Sequence, residues 1–134
     1  MEVNMTRREI IDYCLTLAGA YEDYPFDGGV TDETATAVMR HRANRKSFAL
    51  LLHHDGKLYL NLKCDPMEAH FLRRAYEGVI TGYHMNKEHW NTVVIGSDVP
   101  DEEIQRQIGG SYDLTKPKAS AGKPVQPTVC DCQP

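Results

Sequence analysis

Two apolar runs meet at His54-Asp55-Gly56-Lys57, and this junction constrains the fold more than any other feature of the chain. Asp-Gly tolerates positive φ at both positions, so it favours a tight two-residue hairpin. On the far side Lys57–Lys63 alternates: Leu58, Leu60 and Leu62 face one way, and Tyr59, Asn61 and Lys63 face the other. On the near side Ser47–His53 reads as the partner strand.

The flanking segments supply helices and further strands. Thr6-Arg7-Arg8-Glu9 matches a capping box, and Ile10, Ile11, Cys14, Leu17, Ala18 and Tyr21 recur at helical spacing. This predicts an amphipathic helix over residues 6–20, broken by Tyr24-Pro25-Phe26-Asp27-Gly28-Gly29. Residues 35–40, rich in Thr and Val, read as a short strand, and a basic loop at 40–46 leads into Ser47. Asp65 as N-cap, Pro66 at the first helical position and Glu68 at the third open a second helix, which runs to about Tyr76. Residues 79–85 and 90–95 read as two strands joined by a turn at Asn86–His89. Pro100-Asp101-Glu102-Glu103 opens a third helix through Ile104 and Ile108, interrupted at Gly109-Gly110. From Lys116 onward periodicity is lost and Pro117, Pro124, Pro127 and Pro134 recur, which predicts a disordered tail.

The resulting order is α-β-β-β-α-β-β-α. It predicts an α/β protein of the α+β two-layer kind: an antiparallel sheet of about five strands with helices packed on one face. The opposite face is expected to be open. A chain of 134 residues fits one domain, read as residues 1–115 with a tail over 116–134.

Charge and cysteine usage narrow the function classes. The net charge of −4 argues against indiscriminate affinity for nucleic acid, but the distribution is uneven. Residues 1–33 carry eight acids against Arg7 and Arg8, whereas residues 40–63 carry six bases against Asp55. Cys14 and Cys64 lie in periodic segments, and Cys130 and Cys132 crowd the C-terminus, a pattern unlike a disulfide framework. No apolar run approaches the roughly 20 residues of a membrane span. With no signal-peptide layout at the N-terminus, a cytoplasmic location is expected.

Several stretches together resemble the MmcQ/YjbR-like family of small bacterial proteins. They are Tyr24-Pro25-Phe26, Lys46-Ser47-Phe48-Ala49, Asn61-Leu62-Lys63-Cys64-Asp65-Pro66, Gly82-Tyr83-His84-Met85-Asn86-Lys87, His89-Trp90-Asn91, Val99-Pro100-Asp101-Glu102 and Ser111-Tyr112. The resemblance spans about residues 6–115. It implies a CyaY-like (frataxin-like) fold and a DNA-binding role with a double-wing arrangement of sheet and loops. One departure stands out: a short Gly-rich turn before the Lys-x-Phe strand is usual in the family, and here it is the longer, basic Arg40–Arg45.

Arg and Lys neutralise phosphates and release counterions, while flat rings stack on exposed bases. The nucleic-acid candidates are therefore Arg40, Arg42, Arg45, Lys46, Lys63 and Lys87 for phosphate, and Tyr59, Tyr83 and Trp90 for stacking. Asn61, Asn86 and Asn91 are candidates for hydrogen bonds to base edges or phosphates, and His84 and His89 fall in the same dense segment. Residues 40–46 and 82–91 are expected to form one anion-binding surface for nucleic acid, DNA first, in a non-enzymatic protein. No helix-turn-helix or zinc-finger spacing is present.

Competing chemistry is weaker. His84 to His89 misses the spacing of zinc protease motifs, and His53 and His54 point to opposite faces of a strand, so neither a metal nor another cofactor is expected. Cys64 precedes a helix N-terminus, where the dipole favours thiolate, and His84 or His89 are its candidate bases in an enzymatic alternative. A small-molecule pocket or a protein-interaction module on the same open face is the remaining alternative.

Overall fold

The computed structural model describes residues 5–26, 35–83 and 85–117. Helix α1 (Arg7–Leu15) starts where the sequence places it: Thr6 accepts from the Glu9 amide and the Glu9 side chain accepts from the Thr6 amide. It ends five residues earlier than the apolar spacing suggests. Gly19 adopts φ +72°, a left-handed conformation that glycine reaches without strain, and the chain reverses into strand β1 (Ala20–Asp23). Tyr21 thus belongs to a strand.

Strands β2 (Ala37–His41), β3 (Ser47–His54) and β4 (Lys57–Lys63) follow, then α2 (Pro66–Ala75), β5 (Val79–Thr81), β6 (Trp90–Val94) and α3 (Asp101–Thr115). The sheet has six strands rather than about five, all neighbours antiparallel, in the order β1-β2-β3-β4-β6-β5. The β3–β4 turn places Asp55 at φ 56° and Gly56 at φ 77°, as the Asp-Gly signal requires. Strand β5 stops at Thr81, four residues short of the expected end, because the chain leaves the ladder at Gly82 and crosses the sheet.

The core lies between one sheet face and the three helices. Ala37, Met39, Ala49, Leu51, Leu60, Leu62, Val79 and Val93 project toward Ile10, Ile11, Cys14, Leu72, Ile104 and Ile108. Helix α3 runs unbroken through Gly109-Gly110 to Thr115, where an interruption is expected from the glycines. Each glycine costs about 1 kcal/mol in a helix interior. The docked stripe Ile104, Ile108, Ser111 and Thr115, all buried, outweighs that cost by packing. The expected tail lies, from Lys118 onward, outside the described residues, as do 27–34 of the expected loop. Among the described residues no helix is long and apolar enough to cross a membrane.

Candidate nucleic-acid interface

The basic loop between β2 and β3 is held at many points. The Arg45 amide donates to the His41 carbonyl at 2.7 Å and the His41 amide to the Lys46 carbonyl at 2.9 Å. The Arg42 amide donates to Gly19 at 2.7 Å, tying the loop to the turn after α1. Asn44 donates to the Thr115 carbonyl at the end of α3 and accepts from the Lys46 amide. Arg45 takes φ 62°, a strained conformation for a side chain of its size, which these bonds hold in place. Beneath the loop, His41 is 2% exposed and bonds Thr115 Oγ1 at 2.8 Å, while that hydroxyl donates to the Ser111 carbonyl. His41 Nε2 is therefore the donor to Thr115. Burial lowers the His41 pKa, the Tyr112 backbone opposes this, and the Lys116 charge adds to the lowering.

Strand register then sets the neighbours of this loop. Arg40 pairs with Ser47, and Lys63 with Trp90, at the same end of the sheet. Alternation puts Arg40, Lys63 and Trp90 on the face away from the helices. The Asn86–His89 turn leads directly into Trp90, and the Cys64 amide donates to the His89 carbonyl at 2.8 Å. The basic loop and this turn, about forty residues apart in sequence, thus lie at one end of the sheet. Three strand spacings separate them, about 14 Å.

The described carboxylates of the N-terminal third pair with only part of this charge. Arg40 Nε meets Asp23 Oδ2 at 2.8 Å, and the Arg42 guanidinium lies 5.2 Å from the Tyr21 ring centre. Asp12 and Glu22 instead pair with Arg8. Arg42, Arg45, Lys46 and Lys87 are exposed and Lys63 is half-buried, and no described carboxylate forms an ion pair with any of them.

The rest of the dense segment behaves differently from the expectation. The sheet face expected to be open is crossed at its centre by Gly82-Tyr83. The Tyr83 amide donates to Thr92 Oγ1 at 2.8 Å, the Thr92 hydroxyl donates to the Asn61 side-chain carbonyl, and Asn61 Nδ2 donates to the Tyr83 carbonyl at 3.1 Å. Asn61 is 1% exposed and its amide is bonded internally, so it clamps the crossing segment and presents nothing to a ligand. Asn91 is likewise buried, between the Ala69 carbonyl and Arg73. Asn86 accepts from the Glu88 and His89 amides and shapes its turn. Tyr83 packs with His54 and Tyr59, centroids 4.8 and 5.4 Å away, toward the β3–β4 hairpin. The predicted residues therefore separate into a basic group with Trp90 and His89 at one end and a ring cluster nearer the other. His84 lies outside the described residues.

Cys64 lines a cleft of about 260 Å³ among the end of β4, the start of α2 and α3. Its thiol is pushed up to about 11 by burial first and then by Glu68 and Asp65, against the pull of Arg106 and Arg73. This reverses the expectation that the helix N-terminus favours thiolate: desolvation and two carboxylates outweigh the dipole. His89 meets Cys64 through its backbone, and its side chain is exposed.

The fold agrees with known proteins. A family model described as YjbR matches residues 15–114. The chain belongs to the YjbR family. It is 33% identical over 122 residues to the uncharacterized protein YyaQ of Bacillus subtilis, covering 84% of this chain and 99% of that protein. It is 29% identical over 108 residues to the uncharacterized protein YjbR of Escherichia coli, covering 81% of this chain and 85% of that one. A crystal structure of a Pseudomonas syringae protein matches at TM-score 0.71 and 32% identity, covering 84% of this chain and 100% of that chain. A Deinococcus radiodurans protein matches at TM-score 0.69 and 34% identity, covering 81% and 77%.

Within this YjbR domain, three residues that organise the basic loop escape a reading of the sequence: His41, Ser111 and Thr115. The available signal is the continued spacing of Ile104, Ile108, Ser111 and Thr115 across the two glycines, which marks the last two as buried hydroxyls.

Proposed function

We propose that the protein binds nucleic acid, DNA first, through the β2–β3 loop and the Lys63–Trp90 corner of its sheet. The observation that supports this most directly is that Arg42, Arg45 and Lys46, on a loop fixed by hydrogen bonds, share one end of the sheet with Lys63 and the turn that carries Lys87. A pre-ordered cationic loop loses little entropy on meeting a phosphate chain. On this reading the two loops act as the wings that the family resemblance implies, on a frataxin-like layout. Arg40, matched by Asp23, contributes position rather than charge. Trp90 supplies a ring beside the phosphates, while Asn61 is internal scaffold. With a net charge of −4, the affinity is modest and strongly salt-dependent.

Fluorescence anisotropy with short single- and double-stranded oligonucleotides, across a salt series, tests this. Five cations set a ceiling of about −4.5 on the slope of log K against log salt for duplex DNA. The double variant Arg45→Glu, Lys46→Glu is expected to reduce the slope by about 2 and to weaken binding to all sequences alike. Absence of binding at low salt, or an unchanged slope in a folded double variant, overturns the reading.

A further inference from the structure

The basic end of the sheet leaves the ring cluster at the β3–β4 hairpin without a role. His54, Tyr59 and Tyr83 form a closed triangle, with centroids 4.8, 5.4 and 5.6 Å apart, and the Tyr83 hydroxyl meets His54 Nδ1 at 3.2 Å. All three are half-buried and stand on the face away from the helices. The core takes its tyrosines from Tyr13, Tyr24, Tyr76 and Tyr112 instead. Trp90, also half-buried, shares the open face beside Lys63. Rings held at a surface offer flat faces on which unpaired bases stack, whatever their sequence.

The two ends of this face are connected. Lys63 and Tyr59 lie on one face of β4, four residues apart, which is about 13 Å along the strand. On neighbouring β3, Leu50 and Leu52 pair with Asn61 and Tyr59, share their face and are half-buried. They form an apolar lane that leads from the basic loop to the rings. Beside the lane, Asn61 and Thr92 are closed off by the Gly82-Tyr83 crossing, which delivers the Tyr83 ring to the far end.

Cations at one end and rings at the other suit a chain whose phosphates and bases are both exposed. A duplex fits poorly. Its base faces are hidden in the stack, so the ring cluster would have nothing to meet. Its major groove is read by a helix or a two-stranded ribbon. Here the three helices pack on the opposite face, and the β3–β4 hairpin is flanked by β2 and β6 rather than standing free.

We propose, building on the nucleic-acid reading above, that the ligand is single-stranded DNA. Its phosphates lie at the basic end of the sheet, and its unpaired bases follow β3 and stack on the His54, Tyr59 and Tyr83 cluster.

Fluorescence anisotropy of the full chain at one low salt concentration tests this with three probes: an oligothymidylate of about 16 nucleotides, an abasic-analogue chain of the same length, and a matched duplex. The oligothymidylate is expected to bind at least about fivefold more tightly than either of the others. Tyr59→Leu is expected to remove most of that advantage. It should leave the slope of log K against log salt unchanged, because stacking releases no counterions. Tyr59→Phe keeps a ring and should bind like the unaltered protein. Equal binding of the abasic chain or the duplex, or undiminished binding by folded Tyr59→Leu, overturns the single-strand proposal. The charge-based reading survives that result if the slope still falls in Arg45→Glu, Lys46→Glu. Binding of none of the three probes overturns both.

Discussion

Ser111→Ala is the substitution that the structure predicts most sharply. Ser111 is fully buried in the middle of α3, where a serine gives no local advantage. Its hydroxyl donates to the Phe48 carbonyl at 2.6 Å and accepts from the Lys63 amide at 2.9 Å. It bridges β3 and β4 where their own ladder has ended, since the last register pair is Ala49 with Leu62. Alanine keeps the helix and nearly the same volume but leaves both backbone groups unpaired. Phe48 is 0% exposed, so water cannot replace the lost donor, while Lys63 is half-buried and recovers part of its loss. At about 1–3 kcal/mol per unsatisfied buried group, with partial recovery at one, the expected destabilisation is about 2–4 kcal/mol. That is a large fraction of the roughly 5–15 kcal/mol stability of an ordinary domain. Urea unfolding followed by circular dichroism should show a lower midpoint with an unchanged slope. A loss below about 0.5 kcal/mol would refute the claim that this hydroxyl joins the strands, because surface-like changes alone fall within that range.

Three further outcomes follow from contacts already described. In Gly82→Ala a Cβ would meet Trp90 Cβ at 2.8 Å and the Trp90 carbonyl at 2.9 Å, so a loss of about 1–3 kcal/mol and altered tryptophan fluorescence are expected; an unchanged melting temperature contradicts the close approach. His41 has its pKa lowered by burial, so between that value and the ordinary 6.5 the unfolded chain holds a proton that the folded chain refuses. Stability is retained above this window and falls as pH drops through it. His41→Gln should flatten the decline that sets in as pH falls below the ordinary histidine range in urea titrations, and a parallel decline would remove His41 from the account. With its thiol pushed up to about 11, Cys64 should react with iodoacetamide near pH 8 roughly a hundredfold more slowly than a free thiol, as read by peptide mapping; a rate like that of a free thiol refutes the buried, acid-flanked setting.

Local signals in the sequence are decoded well where one short segment carries its own geometry. The Thr6–Glu9 capping box, the Asp65-Pro66 start and the Asp55-Gly56 turn each appear as expected. They involve neighbours in sequence and follow from backbone chemistry alone. Errors arise where two periodicities overlap or tertiary packing overrides propensity. Leu17, Ala18 and Tyr21 satisfy helical spacing, but Gly19 turns the chain and Tyr21 pairs with Arg40 in a sheet. Gly109-Gly110 reads as a break, yet the buried stripe on either side carries α3 through it. At the candidate site the residue types are legible and the division of labour is not. Asn61 alternates with Tyr59 and Lys63 as a face residue should, and nothing local announces that Tyr83 will lie over it.

Helix α3 gives the basic loop and the Cys64 cleft a common support. Thr115 holds His41 and Asn44 under the basic loop, Ser111 ties Phe48 to Lys63, and Gln107 and Gly110 line the cleft, all within three turns of one helix. The basic loop therefore owes its shape to contacts distant in sequence. Among the described acids of the N-terminal third, Glu9 caps α1, Asp12 and Glu22 hold Arg8, and Asp23 crosses to the basic segment to meet Arg40. Net charge is thus a poor guide for this chain, because three of those four described carboxylates are committed away from the end of the sheet where the cations collect.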